Sequence, residues 1–225
     1  MINFDKQLLD KFKYVNSDVV EPLFYTTDVF EKEREKISFI KKVESVIRKA
    51  IEYNALMHYI KDELKLDNCA VFSAINSKDV LLEIHHAPFT LFDIVETMLN
   101  KRLDLNIPIT SLSLAEEVLI LHYGGEIGLI QVSKTVHDLM HSGKISPEPN
   151  QIIGDVHAFY TKNKVFLSEA AEEKYLRFKD KTEDKFVLSD LLDESLNATN
   201  IEKKAFINDY LMTKDSKKLE SHGNL

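Results

Sequence analysis

The chain has 225 residues, of which 44% are hydrophobic, a formal net charge of −8 and a single cysteine, Cys69. That length and apolar content can bury a substantial core. The acidic balance counts against strong non-specific nucleic-acid binding, which needs clustered Lys and Arg, and one cysteine excludes both an internal disulfide and a multi-cysteine zinc site.

Residues 1–28 mix charges with aromatics and show no period. From about Asp28 to Lys65 the pattern turns helical: Ile37, Ile40, Val43 and Ile47 recur at three- and four-residue intervals between Lys and Glu. Asp67-Asn68 punctuates the chain, and residues 69–86 read as a β-hairpin of two short strands around an Asn76–Asp79 turn. Thr90-Leu-Phe-Asp93 has the form of a capping box and opens a helix through about Leu99; Ser113-Leu-Ala-Glu116 repeats the device for a helix ending near Tyr123-Gly124-Gly125. Ile127–Val132 reads as a strand, and Ser133 caps a helix that Ser142-Gly143 ends.

Pro147 and Pro149 mark a loop, residues 151–163 form a short element, and a charged helix runs from Ser168 to about Lys181. A further amphipathic helix is expected from about Asn200 to Met212, before a polar, disordered tail. The opening residues lack a secretory-signal profile and no apolar run approaches the ~20 residues that span a bilayer, so a cytoplasmic protein without a membrane partner is expected.

Four of the eight histidines form the most informative constellation. His85 and His86 close the apolar stretch Val80–Ile84, and His137 and His141 follow about fifty residues later on the Ser133-capped helix. Residues i and i+4 share a helix face, so His137 and His141 can grip one ion. Neighbours in a regular strand face opposite ways, so His85 and His86 can divide their roles, one toward a metal and one toward a substrate. Pro88 stops the strand from continuing regularly. His58, His122 and His157 read as satisfied core histidines, with His122 the strongest exception because it lies close before Gly128.

This order of strand, His-His, strand and Ser-capped helix with His-x-x-x-His resembles the HNH, or His-Me finger, nucleases, closest to the nuclease domain of DNA-degrading colicins. The residues that carry the resemblance are Ile84-His85-His86 and Ser133-Lys-Thr-Val-His137-Asp-Leu-Met-His141, within about residues 69–145. It implies a mostly helical α+β protein with a small ββα-metal core. His85, His137 and His141 would be ligands of a divalent metal ion (Zn, Ni, Mn or Mg), and His86 the general base that activates water. The activity implied is phosphodiester hydrolysis in nucleic acid, with DNA as partner and Lys134 and Lys144, flanking the histidine helix, on the phosphates.

The chain departs from the family in three ways. The spacing between the histidine pair and the helix is expanded by the helices near Thr90 and Ser113, as in phage-encoded relatives. The asparagine that gives the family its middle letter, nine residues before the first helical histidine, is here Gly128. Cys69 stands alone where many members begin a zinc knuckle, and equally suits a small buried thiol.

The layout expected is an N-terminal helical region over 1–66, the ββα-metal core with its helical insertion over 67–165, and C-terminal helices with a tail over 166–225. An opposing reading, motivated by Gly128, the net charge and the amphipathic terminal helices, is a non-catalytic HNH-fold interaction or assembly protein that binds a protein partner. A third takes His137-Asp138 for the doublet of all-helical HD-type phosphohydrolases; a strand around residues 69–86 counts against it.

Overall fold

The computed structural model describes residues 24–180, residue 65 excepted. The expected helix at about 200–212 and the polar tail lie outside these residues.

Helix α1, Glu33–Lys49, carries acidic residues in its first turn and Arg48 and Lys49 in its last, matching the helix dipole at both ends. It buries Phe39, Ile40, Val43 and Ile47, while Ile37 is only half-buried. Ala50 interrupts it in extended conformation, and α2, Ile51–His58, follows, running into a π-helical turn at Tyr59–Glu63. Helix α3, Leu91–Asp104, starts on the expected box: Thr90 accepts from the Asp93 amide, and Asp93 accepts from the Thr90 amide at 2.7 Å. Helix α4 is Ser111–Tyr123, α6 is Val156–Asn163 and α7 is Glu169–Lys179. α1 packs on α3 and α4, and one continuous apolar core runs from Phe30 through these helices to Phe178. Phe89 sits within it, 5.2 Å from Phe159 and 5.8 Å from Tyr175 between ring centroids. Lys174 of α7 bonds both carboxylate oxygens of Asp93 at 2.8 Å, fixing α7 to the start of α3.

Two strands complete this mostly helical α+β fold. β1, Leu82–His86, pairs antiparallel with β2, Leu129–Ser133, in the register Leu82↔Ser133 to His86↔Leu129. Helix α5, Lys134–His141, begins at once, with Ser133 as both last strand residue and N-cap. α5 folds back over the pair and buries Val136 beside Ile130, Val132, Leu82 and Cys69, a second, smaller core. No described helix is long and apolar enough to cross a membrane.

Three local expectations change. The segment before β1 is not its hairpin partner: the Asn76–Asp79 turn forms, but the pairing next to it is a single bridge between Asn68 and Asn76, closed around residues 69–75. Cys69 and Ile75 turn into the second core, Ala70 donates to the Gln131 carbonyl, and β1 finds its partner more than forty residues on. Local alternation cannot distinguish a sequential hairpin from a long-range pair when both offer an apolar face. Second, α4 starts earlier than expected, because Thr110 is its N-cap and Ser113 takes the reciprocal N3 position. Third, His58 and His157 are exposed; His157 Nδ1 lies 2.7 Å from the Tyr175 hydroxyl, so α6 turns this histidine outward beside α7. Cys69 is buried and in no disulfide.

Candidate metal centre

β1 fixes the first half of the site through its alternation. Glu83 and His85, two residues apart, project to one face, and His86 projects to the other. α5 lies against the Glu83–His85 face, and its i, i+4 spacing turns His137 and His141 toward β1. Each of His85, His137 and His141 thereby offers a ring nitrogen, and these nitrogens all lie within 4.8 Å of one another. Ring centroids are 4.7 Å from His85 to each helical histidine and 4.5 Å between the helical two. The site grades from His85, 8% exposed, through the half-buried His137 to His141 at the surface.

Burial, followed by the neighbouring His137 and His141, pushes the His85 imidazole down to about 3. His141 is also lowered, by the part of its ring that is buried and then by His137. A neutral imidazole keeps the lone pair that ligation requires. His137 Nδ1 lies 2.7 Å from Glu83 Oε2, so its other nitrogen, Nε2, is the one that faces His141 Nε2 at 3.0 Å. Glu83 is the residue sequence reasoning missed. Its signal was available as the i−2 neighbour of His85, on the same strand face.

His86 occupies a different environment. It is 5% exposed, stacks at 6.3 Å on Tyr53 of α2, and places Nε2 3.0 Å from Nε2 of His122 on α4. His122, itself 3% exposed, sets its Nδ1 2.7 Å from the Val118 carbonyl. A carbonyl only accepts, so His122 carries its proton on Nδ1 and must accept on Nε2 from His86 Nε2–H. Burial, then His122, holds His86 well below its ordinary value, and burial takes His122 down to about 4. The pair is thus two neutral rings in a closed chain, His86 to His122 to the backbone. The structure brings His85, His137 and His141 together and places His86 on the far side of the strand.

Gly128 has a steric explanation. A Cβ here would lie 2.0 Å from the Ala87 carbonyl oxygen, 2.3 Å from Val156 Cγ1 and 3.0 Å from Ile152 Cγ2. The Ala87 amide also donates to the Gly128 carbonyl at 3.1 Å. The segment after the two histidines is therefore held against Gly128 by a backbone hydrogen bond at close approach.

The lysines flanking α5 are both exposed; Lys134 lies 3.7 Å from Asp138 on the solvent side of the helix. Elsewhere Arg102 is bound to Glu117, Ser113 and the Pro108 carbonyl, and Lys162 to Glu126. His85 lies on a paired strand and Asp138 on an exposed helix face.

Fold and site together define a helical α+β protein with a ββα unit that gathers three histidines at its surface. Residues 1–221 match the bacteriophage G278-like virion protein family, and the chain belongs to that family. No curated protein and no solved structure matches it.

Proposed function

We propose that this chain is a non-catalytic component of the phage particle whose ββα unit is stapled by a divalent transition ion held by His85, His137 and His141. The observation that carries this reading is the split at the end of β1: His85 joins the helical histidines, while His86 is buried in a closed chain with His122. A general base must reach a water beside the reacting phosphate. His86 faces Tyr53 and His122 instead, with its Nε2 proton already committed.

The donor set fits an ion of the zinc, nickel or cobalt class, which favours imidazole, better than magnesium, which favours oxygen. Bound there, such an ion ties β1 to α5 and adds its binding free energy to the folded state. Membership of a virion protein family supports protein partners in the particle over a free enzyme in the cytoplasm. The full-length protein is assayed for metal by elemental analysis beside the His137→Ala/His141→Ala double variant. Near-stoichiometric metal that disappears in the variant is expected; wild-type protein that takes up no zinc, nickel or manganese overturns the staple.

A second reading keeps the HNH-like nuclease. Three imidazoles leave coordination positions open, and the cluster reaches the surface at His141, between Lys134 and Lys144. An ion there would act as a Lewis acid on a phosphate oxygen. Metal-dependent DNA cleavage by the wild type that His86→Ala abolishes, with metal affinity spared, would replace the structural reading with this one.

A further inference from the structure

We infer that Glu83 is the positioning residue of the tri-histidine site: its carboxylate holds the Nδ1 proton of His137 and so presents His137 Nε2 to the metal. The inference rests on the metal-binding reading above and assigns a role to a residue outside the ligand set.

The geometry has three parts. Glu83 Oε2 lies 2.7 Å from His137 Nδ1, and His137 Nε2 lies 3.0 Å from His141 Nε2. An ionised carboxylate has no proton to give, so the hydrogen at Nδ1 belongs to the imidazole. In the neutral ring that leaves Nε2 as the lone-pair nitrogen, and it is the one aimed at the cluster. Without Glu83, a free imidazole exchanges between two tautomers and can rotate its ring, and half of those states present the wrong nitrogen.

The placement is dictated by β1. Glu83 and His85 share a strand face, so the segment that supplies the buried ligand also supplies the group that aims the helical one. A ligand histidine commonly gives its second N–H to a carboxylate, and loss of that partner typically weakens metal affinity roughly 10–100-fold. As a surface ion pair alone, with Glu83 33% and His137 24% exposed, the contact would stabilise the fold little.

The test uses the full chain with cobalt or zinc as the probe, comparing wild type, Glu83→Ala, Glu83→Gln and His137→Ala. Glu83→Ala is expected to lower affinity by roughly 10–100-fold. Glu83→Gln, whose amide oxygen still accepts from Nδ1–H, should recover most of that loss. In the metal-free protein, nitrogen-15 spectra should show His137 protonated at Nδ1 in the wild type and mixed in Glu83→Ala. A Glu83→Ala variant that binds within about twofold of wild type, while His137→Ala does not bind, overturns the role of Glu83 and leaves the metal site standing. If wild type takes up no metal, the metal reading fails and the ring spectra decide Glu83 alone. A His137 protonated at Nε2 would then overturn its role, and Nδ1 protonation that depends on Glu83 would support it.

Discussion

Adding one methyl group at Gly128 should damage this protein more than removing most of its surface side chains. An alanine Cβ would lie 2.0 Å from the Ala87 carbonyl oxygen and 2.3 Å from Val156 Cγ1. The valine methyl can move by changing rotamer, but the carbonyl belongs to the backbone next to a strand end. Relieving that clash separates Gly128 from Ala87 and breaks the 3.1 Å hydrogen bond between them. Overpacking costs about 3 kcal/mol at the upper end of its usual range and the lost hydrogen bond about 1, so Gly128→Ala should cost roughly 4 kcal/mol. For a chain of this size that corresponds to a fall in Tm of about 8–16 °C. Gly143→Ala provides the control, because Gly143 has φ +72 and nothing within 4 Å of an added Cβ. It bears only left-handed strain, about 1–2 kcal/mol. Thermal melting followed by circular dichroism measures both. If Gly128→Ala melts no lower than Gly143→Ala, the close backbone approach is not what holds this position as glycine. By the same reasoning Gly128→Asn, which restores the asparagine of the resembling nucleases, should destabilise the fold and confer no cleavage.

The buried histidine pair predicts an acid limb of stability in the metal-free protein. His122 falls to about 4 in the fold from an ordinary 6.5, and His86 is also lowered, so the unfolded chain binds these protons first. Their contribution is fully present above pH ~6.5 and is lost as pH falls toward the folded values, each group adding about 1.4 kcal/mol per pH unit. Urea melts between pH 7 and 4.5 should show that slope together with the contribution of His85, lowered to about 3, and His122→Leu should flatten the sum by one proton; an unchanged slope refutes the assignment. Asp93, whose side chain is 6% exposed, is the N3 half of the α3 capping box, accepting from the Thr90 amide, and receives Lys174. Asp93→Ala should cost about 2–3 kcal/mol by urea denaturation, loss of the hydrogen bond from the Thr90 amide plus loss of the ion pair, while Asp93→Asn should keep most of that half of the cap. Equal losses in the two would mean that the ion pair, and not the cap, carries the contribution.

What the sequence made legible follows from the range of the forces involved. Ser133 as N-cap, the Thr90–Asp93 box and the end of β1 before Pro88 are decided by a few neighbouring residues, and each stands in the structure. The pairing of His137 with His141 follows from helix spacing alone. The partner of β1 depends on a contact closed across two whole helices, and the segment at 69–80 offered a nearer apolar alternative. Thr110 was overlooked because Ser113-Leu-Ala-Glu116 has the same box-like spacing; the hydroxyl of Ser113 serves as the N3 partner of Thr110 and as an acceptor for Arg102. His122 needed the third dimension, since it lies 36 residues from His86, and the i−2 position of Glu83 marks its strand face but not its partner His137.

The two adjacent histidines show how a single strand can separate functions that resemblance joins. Alternation in β1 sends His85 toward α5, where two more imidazoles wait at the surface, and sends His86 toward α2 and α4, in the core that holds the helices together. Turning His86 back toward the phosphate side would require the strand end to twist after His85. The Ala87–Gly128 hydrogen bond and the absence of any space beside Gly128 oppose that twist. The same contact that excludes an asparagine therefore also keeps His86 facing inward. On the proposed reading, the metal ligands on the other strand face serve as a staple without any part for His86.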